Sequence, residues 1–302
     1  MAATNFPPLR ACIFDVDGTL INSEDIYTDI YNEILHSYGK PAYPWAIKAT
    51  QQSRGTPGTQ RLLAWAQLPL SVADWKAKEK AYTHLFKNSK ILPGVETLLT
   101  TLSTQTSPPV KLALASSAGH ALFDLKTSHI PAISAAFHNP ALHVFGDDPE
   151  MAGCEKKPNP DIFLLTLRRL NEATVKEGEA ELRAEECLVF EDSIAGVEAA
   201  RRAGMRVVWV PHPGLAEACA GKEMDVLMGR TEDDGKVPEF LGGVVGKLEA
   251  YESDRVLSED GRAEMVMSLE GFRYTSYEFS LKIDVQEGGD VGIASKSGLT
   301  SS

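Results

Sequence analysis

The sequence predicts an α/β protein: a parallel sheet with helices on both faces, and a separate helical block inserted into it. Three observations carry that prediction. Short, wholly apolar runs recur along the chain, as expected of strands buried on both faces. Each run is followed by a segment of helical periodicity, the order that places successive strands side by side in one parallel sheet. The stretch 23–86 breaks the rhythm, showing helical spacing and no strand-like run.

The strand runs are Ala11–Asp15, Lys111–Ala115, His143–Phe145, Cys187–Phe190 and Arg206–Val210. Helical segments Pro160–Leu170 and Ile194–Ala203 lie between the later ones, and Gly204 stands where a helix-closing glycine belongs. In the inserted block, Ile26, Ile30 and Ile34 recur at helical spacing, with Asn22 or Ser23 placed to cap the first helix. Arg54–Gly58, with two glycines and a proline, reads as a flexible loop, and Leu92-Pro93-Gly94 as the return to the sheet. We therefore expect a sheet domain from residues 1–20 and 88–243, and a helical insertion over 21–87. Residues 244–302 form an extension with no assigned role. Within it, Met265–Ile283 has the aromatic and β-branched content of a hairpin, and Ala294–Ser302 the polarity of a disordered end.

Composition narrows the function. The 302 residues carry a net charge of -12, which argues against general affinity for nucleic acid or anionic membranes. An anionic substrate must then be held by local cations or a metal. The four cysteines, Cys12, Cys154, Cys187 and Cys219, are scattered, so neither a zinc site nor a disulfide framework is expected. Met1–Arg10 lacks the apolar run of a signal peptide, and no stretch is long and apolar enough to span a bilayer. The expectation is a cytoplasmic protein, monomeric or weakly dimeric, acting on a small molecule.

Four elements carry chemistry. Asp15-Val16-Asp17-Gly18-Thr19 follows the first apolar run directly. Two carboxylates at a strand end, with Gly18 letting the chain turn, allow one to attack phosphorus while the other handles protons. The plainer reading, an acidic turn, fits Asp-Gly alone but not the whole motif. Glu191-Asp192 ends another run and is followed by a helix; alone it is a helix N-terminal charge pair, but beside Asp15 it reads as metal-binding. Ser116, with Ser117 and Gly119, sits where a hydroxyl and free backbone N–H groups can cradle phosphate; a simple N-cap is the alternative. Lys157, in Lys156-Lys157-Pro158-Asn159-Pro160, is immobilised by prolines, as a cation for phosphoryl transfer must be; most lysines are solvated bystanders.

Together, DVDGT at Asp15–Thr19, LALASS at Leu112–Ser117, KPNPDIF at Lys157–Phe163 and VFEDSIAGVEAARRAG at Val189–Gly204 resemble the haloacid dehalogenase superfamily over Leu9 to Gly243. The helical insertion resembles the cap of the β-phosphoglucomutase-like branch. GDDPEM at Gly146–Met151, with KPNPDIFL and CLVFED, resembles the pseudouridine-5′-phosphatase group.

The resemblance implies a Rossmann-like sheet, with Asp15 as nucleophile and Asp17 as general acid, then base. It implies Ser116 and Lys157 on the phosphoryl group, with Ser117, Gly18 and Thr19 around it. Arg54 in the cap loop has two readings of equal weight, reaching substrate or standing as a solvated loop arginine. Mg2+ would be held by Asp15, Asp192 and the Asp17 carbonyl, with Glu191 ordering water around it. His120 is expected to be a partly exposed helix residue, not an acid–base group. The expected activity is hydrolysis of a nucleotide-like or sugar phosphate. A sugar phosphomutase using the same intermediate is the alternative, and a non-catalytic binding protein on this scaffold a further one. Dehalogenation needs no metal, and Asp17 and Asp192 argue against it.

Overall fold

A computed structural model describes residues 6–231 and 255–282. The five apolar runs become β1 (Ala11–Phe14), β2 (Lys111–Ser116), β3 (His143–Phe145), β4 (Cys187–Glu191) and β5 (Arg206–Trp209). Two further strands, β6 (Arg255–Leu257) and β7 (Ala263–Val266), complete a sheet of order β3-β2-β1-β4-β5-β7-β6. Every pairing is parallel except β6 with β7. The fold is a Rossmann-like α/β sheet with a helical cap.

Alternate residues explain why helices must cover both faces. Ile13, Ala113 and Val189 enter one apolar cluster, where α8 (Asp161–Lys176) and α9 (Ile194–Arg202) pack. Phe14, Leu114 and Phe190 enter the other, with α5 (Val95–Thr104) and α7 (Pro131–Ala136). The first face also takes residues of α10 (Pro213–Ala218) and α11 (Glu223–Met228). The cap consists of α1 (Ser23–Ser37), α2 (Trp45–Gln51), α3 (Thr56–Ala66), α4 (Val72–Ala81) and a 3₁₀ turn at Thr83–Asn88. These build a third cluster around Ile30, Ile34, Leu62, Trp75 and Phe86. One further helix, α6 (His120–Thr127), follows β2 and sends Leu122 and Leu125 against that cap cluster.

Register then positions the site. Phe14 pairs with Leu114 on one side and Phe190 on the other. Asp15, Ser116 and Glu191-Asp192, at or just past the last residues of these three strands, gather at the carboxyl end of the sheet, where ligands of parallel sheets bind.

Some expectations are corrected. The hairpin lies upstream of Met265–Ile283: β6 and β7 flank a turn at Asp260-Gly261, with Gly261 at φ 69°. Residues 267–282 instead form a 3₁₀ turn at Tyr274–Tyr277, and Tyr277 and Phe279 are buried against the sheet. Aromatic content there reflects burial, not strand. Arg54–Gly58 is also no open loop, since α3 begins at Thr56 and Gly58 packs onto the Gln51 backbone, where a Cβ would meet the carbonyl oxygen at 2.4 Å. Neither Asn22 nor Ser23 caps α1 with its side chain. The Asn22 side-chain Oδ1 instead accepts from Lys90 N at 2.7 Å, tying the two connections to the cap together. Ala294–Ser302 lies outside the described residues. No described helix is long and apolar enough to cross a membrane.

Candidate active site

Asp15 follows β1, its amide donating to the Phe190 carbonyl at 3.0 Å, and is 3% exposed. Lys157 Nζ donates to Asp15 Oδ1 at 2.5 Å and to Glu191 Oε1 at 2.6 Å. The Ala115 carbonyl accepts from the same ammonium at 3.4 Å, and the Phe163 ring lies beneath it. Burial pulls the Lys157 pKa down, but the two carboxylates outweigh it and hold the ammonium charged. Burial pushes Asp15 up to about 7 against the opposing pull of Lys157, with Glu191 and Asp17 adding to the rise. Asp192 is raised well above the carboxylate range by burial first, then by Glu191, Glu24 and Asp15.

The turn after β1 brings Asp17 and Asp192 into range of the same space. Gly18 sits at φ +80°, and a Cβ there would lie 2.3 Å from Asp192 Oδ2, so only glycine permits this approach. Asp17 Oδ1 accepts from Ser23 Oγ at 2.6 Å and from Lys126 Nζ at 2.5 Å. The hydroxyl expected to cap α1 is thus turned onto the carboxylate. Ser116, buried at the end of β2, accepts the Ala118 amide on its Oγ at 3.2 Å.

A cavity of about 180 Å³ lies between sheet and cap. Its floor includes Asp15, Asp17, Asp192, Ser117 and Ala118; from the cap come Tyr27, Tyr31, Lys48, Gln51 and Gln52. Gln52 Nε2 donates to Asp192 Oδ2 at 3.1 Å, joining cap and core at the site.

Several expected contacts differ. Glu191 gives one oxygen to Lys157 and the other to the amide and hydroxyl of Ser193, so it anchors the lysine and does not reach the cavity. Arg54 is buried and not part of the cavity wall, although Gln52, Ser53 and Gly55 are. Gly18 and Thr19 do not line this cavity but a separate one, with Leu92, Val210 and His212, and the buried Thr19 hydroxyl has no hydrogen-bond partner among the described residues. His120 is, by contrast, exposed at the start of α6 as expected, with Nδ1 2.8 Å from Asp147 Oδ1. Two residues that sequence reasoning missed, Lys126 and Gln52, touch the carboxylates directly. Lys126 left a trace: with Leu122 and Leu125 it completes a helical stripe, and a lysine on a buried stripe needs a partner.

Among the described residues no cluster of three or more His, Cys, Asp or Glu is arranged as a metal cage. The reason is visible: Asp17 is turned to Ser23 and Lys126, and Glu191 to Lys157 and Ser193. Asp15 and Asp192 remain, two buried carboxylates raised first by burial and then by neighbouring carboxylates, Glu191 among them for both. With a backbone carbonyl such as that of Asp17, these all-oxygen donors fit a hard divalent cation that keeps several waters.

Residues 9–204 match the haloacid dehalogenase-like hydrolases. The chain belongs to this family. A Saccharomyces cerevisiae protein named "Probable pseudouridine-5′-phosphatase" is 37% identical to this haloacid dehalogenase-like hydrolase over 228 residues, covering 74% of this chain and 91% of that one. An Arabidopsis thaliana protein named "(DL)-glycerol-3-phosphatase 1, mitochondrial" is 35% identical over 219 residues, covering 71% and 68%. A crystal structure of an Entamoeba histolytica hydrolase of the same family superposes with a TM-score of 0.55 at 19% identity, over 78% of this chain and 100% of that one, which shows the common fold. As a member of this family with phosphatase relatives, the chain is a phosphoric monoester hydrolase.

Proposed function

We propose that this hydrolase removes phosphate from a nucleotide-like or sugar phosphate through an aspartyl-phosphate on Asp15, with Mg2+ as cofactor. One observation carries the reading: Asp15 lines the cavity while Lys157 holds one of its oxygens, so the other is free to attack. That oxygen forms a bond to phosphorus as the ester bond breaks. Asp17 gives its proton to the departing alkoxide, then takes one from the water that attacks the acyl phosphate, releasing phosphate and restoring Asp15. Lys157 and the Ser116-Ser117 turn hold the phosphoryl oxygens, and the cap keeps bulk water from the intermediate. Asp15, Asp192 and the Asp17 carbonyl would hold Mg2+, which would supply positive charge against the phosphoryl group.

Pseudouridine 5′-phosphate and glycerol 3-phosphate, which the names of the two relatives mention, are the first substrates to try. Phosphate release from these, other nucleotides and sugar phosphates, with Mg2+ present, tests the reading. It predicts turnover of at least one substrate and none by Asp15→Asn. Absence of release by folded, Mg2+-loaded protein across the set refutes it, as does isomerisation of β-glucose 1-phosphate without phosphate release.

A further inference from the structure

Lys126 is the fully buried cation nearest the proton-transfer carboxylate. Its side chain is 0% exposed and that of Asp17 18% exposed. The ammonium donates to Asp17 Oδ1 and, at 3.1 Å, to the Tyr27 hydroxyl. It also lies 4.7 Å from the Tyr27 ring centroid and 4.4 Å from that of Phe86. Lys126 belongs to α6 of the core, whereas Tyr27 and Phe86 belong to the cap. A buried ammonium persists only where carboxylate and ring faces replace its lost hydration. Here the carboxylate comes from the core and the rings from the cap.

Both donors to Asp17, Ser23 and Lys126, use the same oxygen, Oδ1. That fixes the rotation of the carboxyl group and leaves Oδ2 for the reacting atoms. We propose that Lys126 is the positioning residue of Asp17, holding it so that Oδ2 meets the leaving oxygen, and that the Tyr27 and Phe86 rings make this hold conditional on the closed cap. The inference rests on the phosphatase reading above and assigns a role to a residue which that reading does not use.

The leaving group tests it. An alkyl phosphate such as glycerol 3-phosphate needs a proton on its departing oxygen, whereas p-nitrophenyl phosphate departs as a stable anion without one. The kcat/KM value reports steps up to formation of the acyl phosphate, before water attack can mask the difference. Lys126→Met is expected to lower kcat/KM by about 100-fold or more for the alkyl ester, the low end of a general-acid contribution. For the aryl ester the loss is expected to stay within about threefold. A residue that merely supports the fold lowers both alike, so equal losses overturn the proposal.

Thermal unfolding shows whether Lys126→Met is folded. If it is not, Phe86→Leu keeps the lysine while removing one ring, and is expected to give the same contrast at smaller amplitude; equal losses there also overturn it. Failure of the wild-type protein to hydrolyse either ester sinks the phosphatase reading itself, which separates the two failures.

Discussion

Replacing Asp15 with asparagine should stabilise the metal-free protein while abolishing turnover. The magnitude follows from the buried carboxylate, whose pKa rises from 3.8 to about 7. Between these values the unfolded chain has lost the proton that the folded chain keeps, so this group makes stability fall as pH rises. The contribution is intact below pH 3.8 and fully lost above about 7. At about 1.4 kcal/mol per unit, the whole fall amounts to about 4 kcal/mol. Asparagine carries no proton to lose and can still accept from Lys157 through its carbonyl oxygen. Its advantage should therefore open between pH 4 and 7, reaching about 2–4 kcal/mol and levelling beyond. Urea unfolding of both proteins in chelator at half-unit pH steps measures it, and saturating Mg2+ should shrink the gap by favouring the native carboxylate. Parallel stability–pH curves for the two proteins would show that Asp15 is not held in the way the structure describes.

Three further outcomes follow from the same geometry. Lys157→Met leaves Asp15 and Glu191 facing each other without a cation and should destabilise the protein by about 3–5 kcal/mol near pH 7, read by denaturant unfolding. Because acidification protonates Asp15, that deficit should narrow toward pH 5. Gly18→Ala places a methyl 2.3 Å from Asp192 Oδ2 at a positive φ, and should raise the Mg2+ concentration needed for half-maximal activity at least tenfold while leaving the circular dichroism spectrum unchanged. Gln52→Ala removes a hydrogen bond between cap and Asp192 of about 1–3 kcal/mol, and should raise KM several-fold and speed amide hydrogen exchange in α2.

The parts of this protein legible from sequence are those decided by neighbours along the chain. Ala11–Phe14 and Cys187–Phe190 are apolar because each faces helices on both sides, and that burial is written into consecutive residues. The carboxylates after them stand out because charge directly follows an apolar run. Lys126 was harder to place, because what surrounds it comes from α1 and from Phe86, far away in the chain. Ser23 misled for a related reason: a serine at a helix start has a local use as a cap, and only the folded turn shows that Asp17 competes for its hydroxyl more strongly. For the C-terminal strands, the Asp260-Gly261 turn was a readable local sign. The parallel pairing of β7 with β5 was not, since nothing in either strand names its partner.

That pairing bears on how the molecule is made. Strand β5 is translated well before β7, so a nascent chain holding β1 through β5 presents the outer edge of β5 with unsatisfied backbone groups. Such an edge is a template for pairing with another chain. It stays open until Ala263–Val266 leaves the ribosome and docks, even though the strands that precede Asp15 and Asp192 are already synthesised by then. Covering of that edge by β7 is therefore a late event, after all of β1 through β5 has been synthesised.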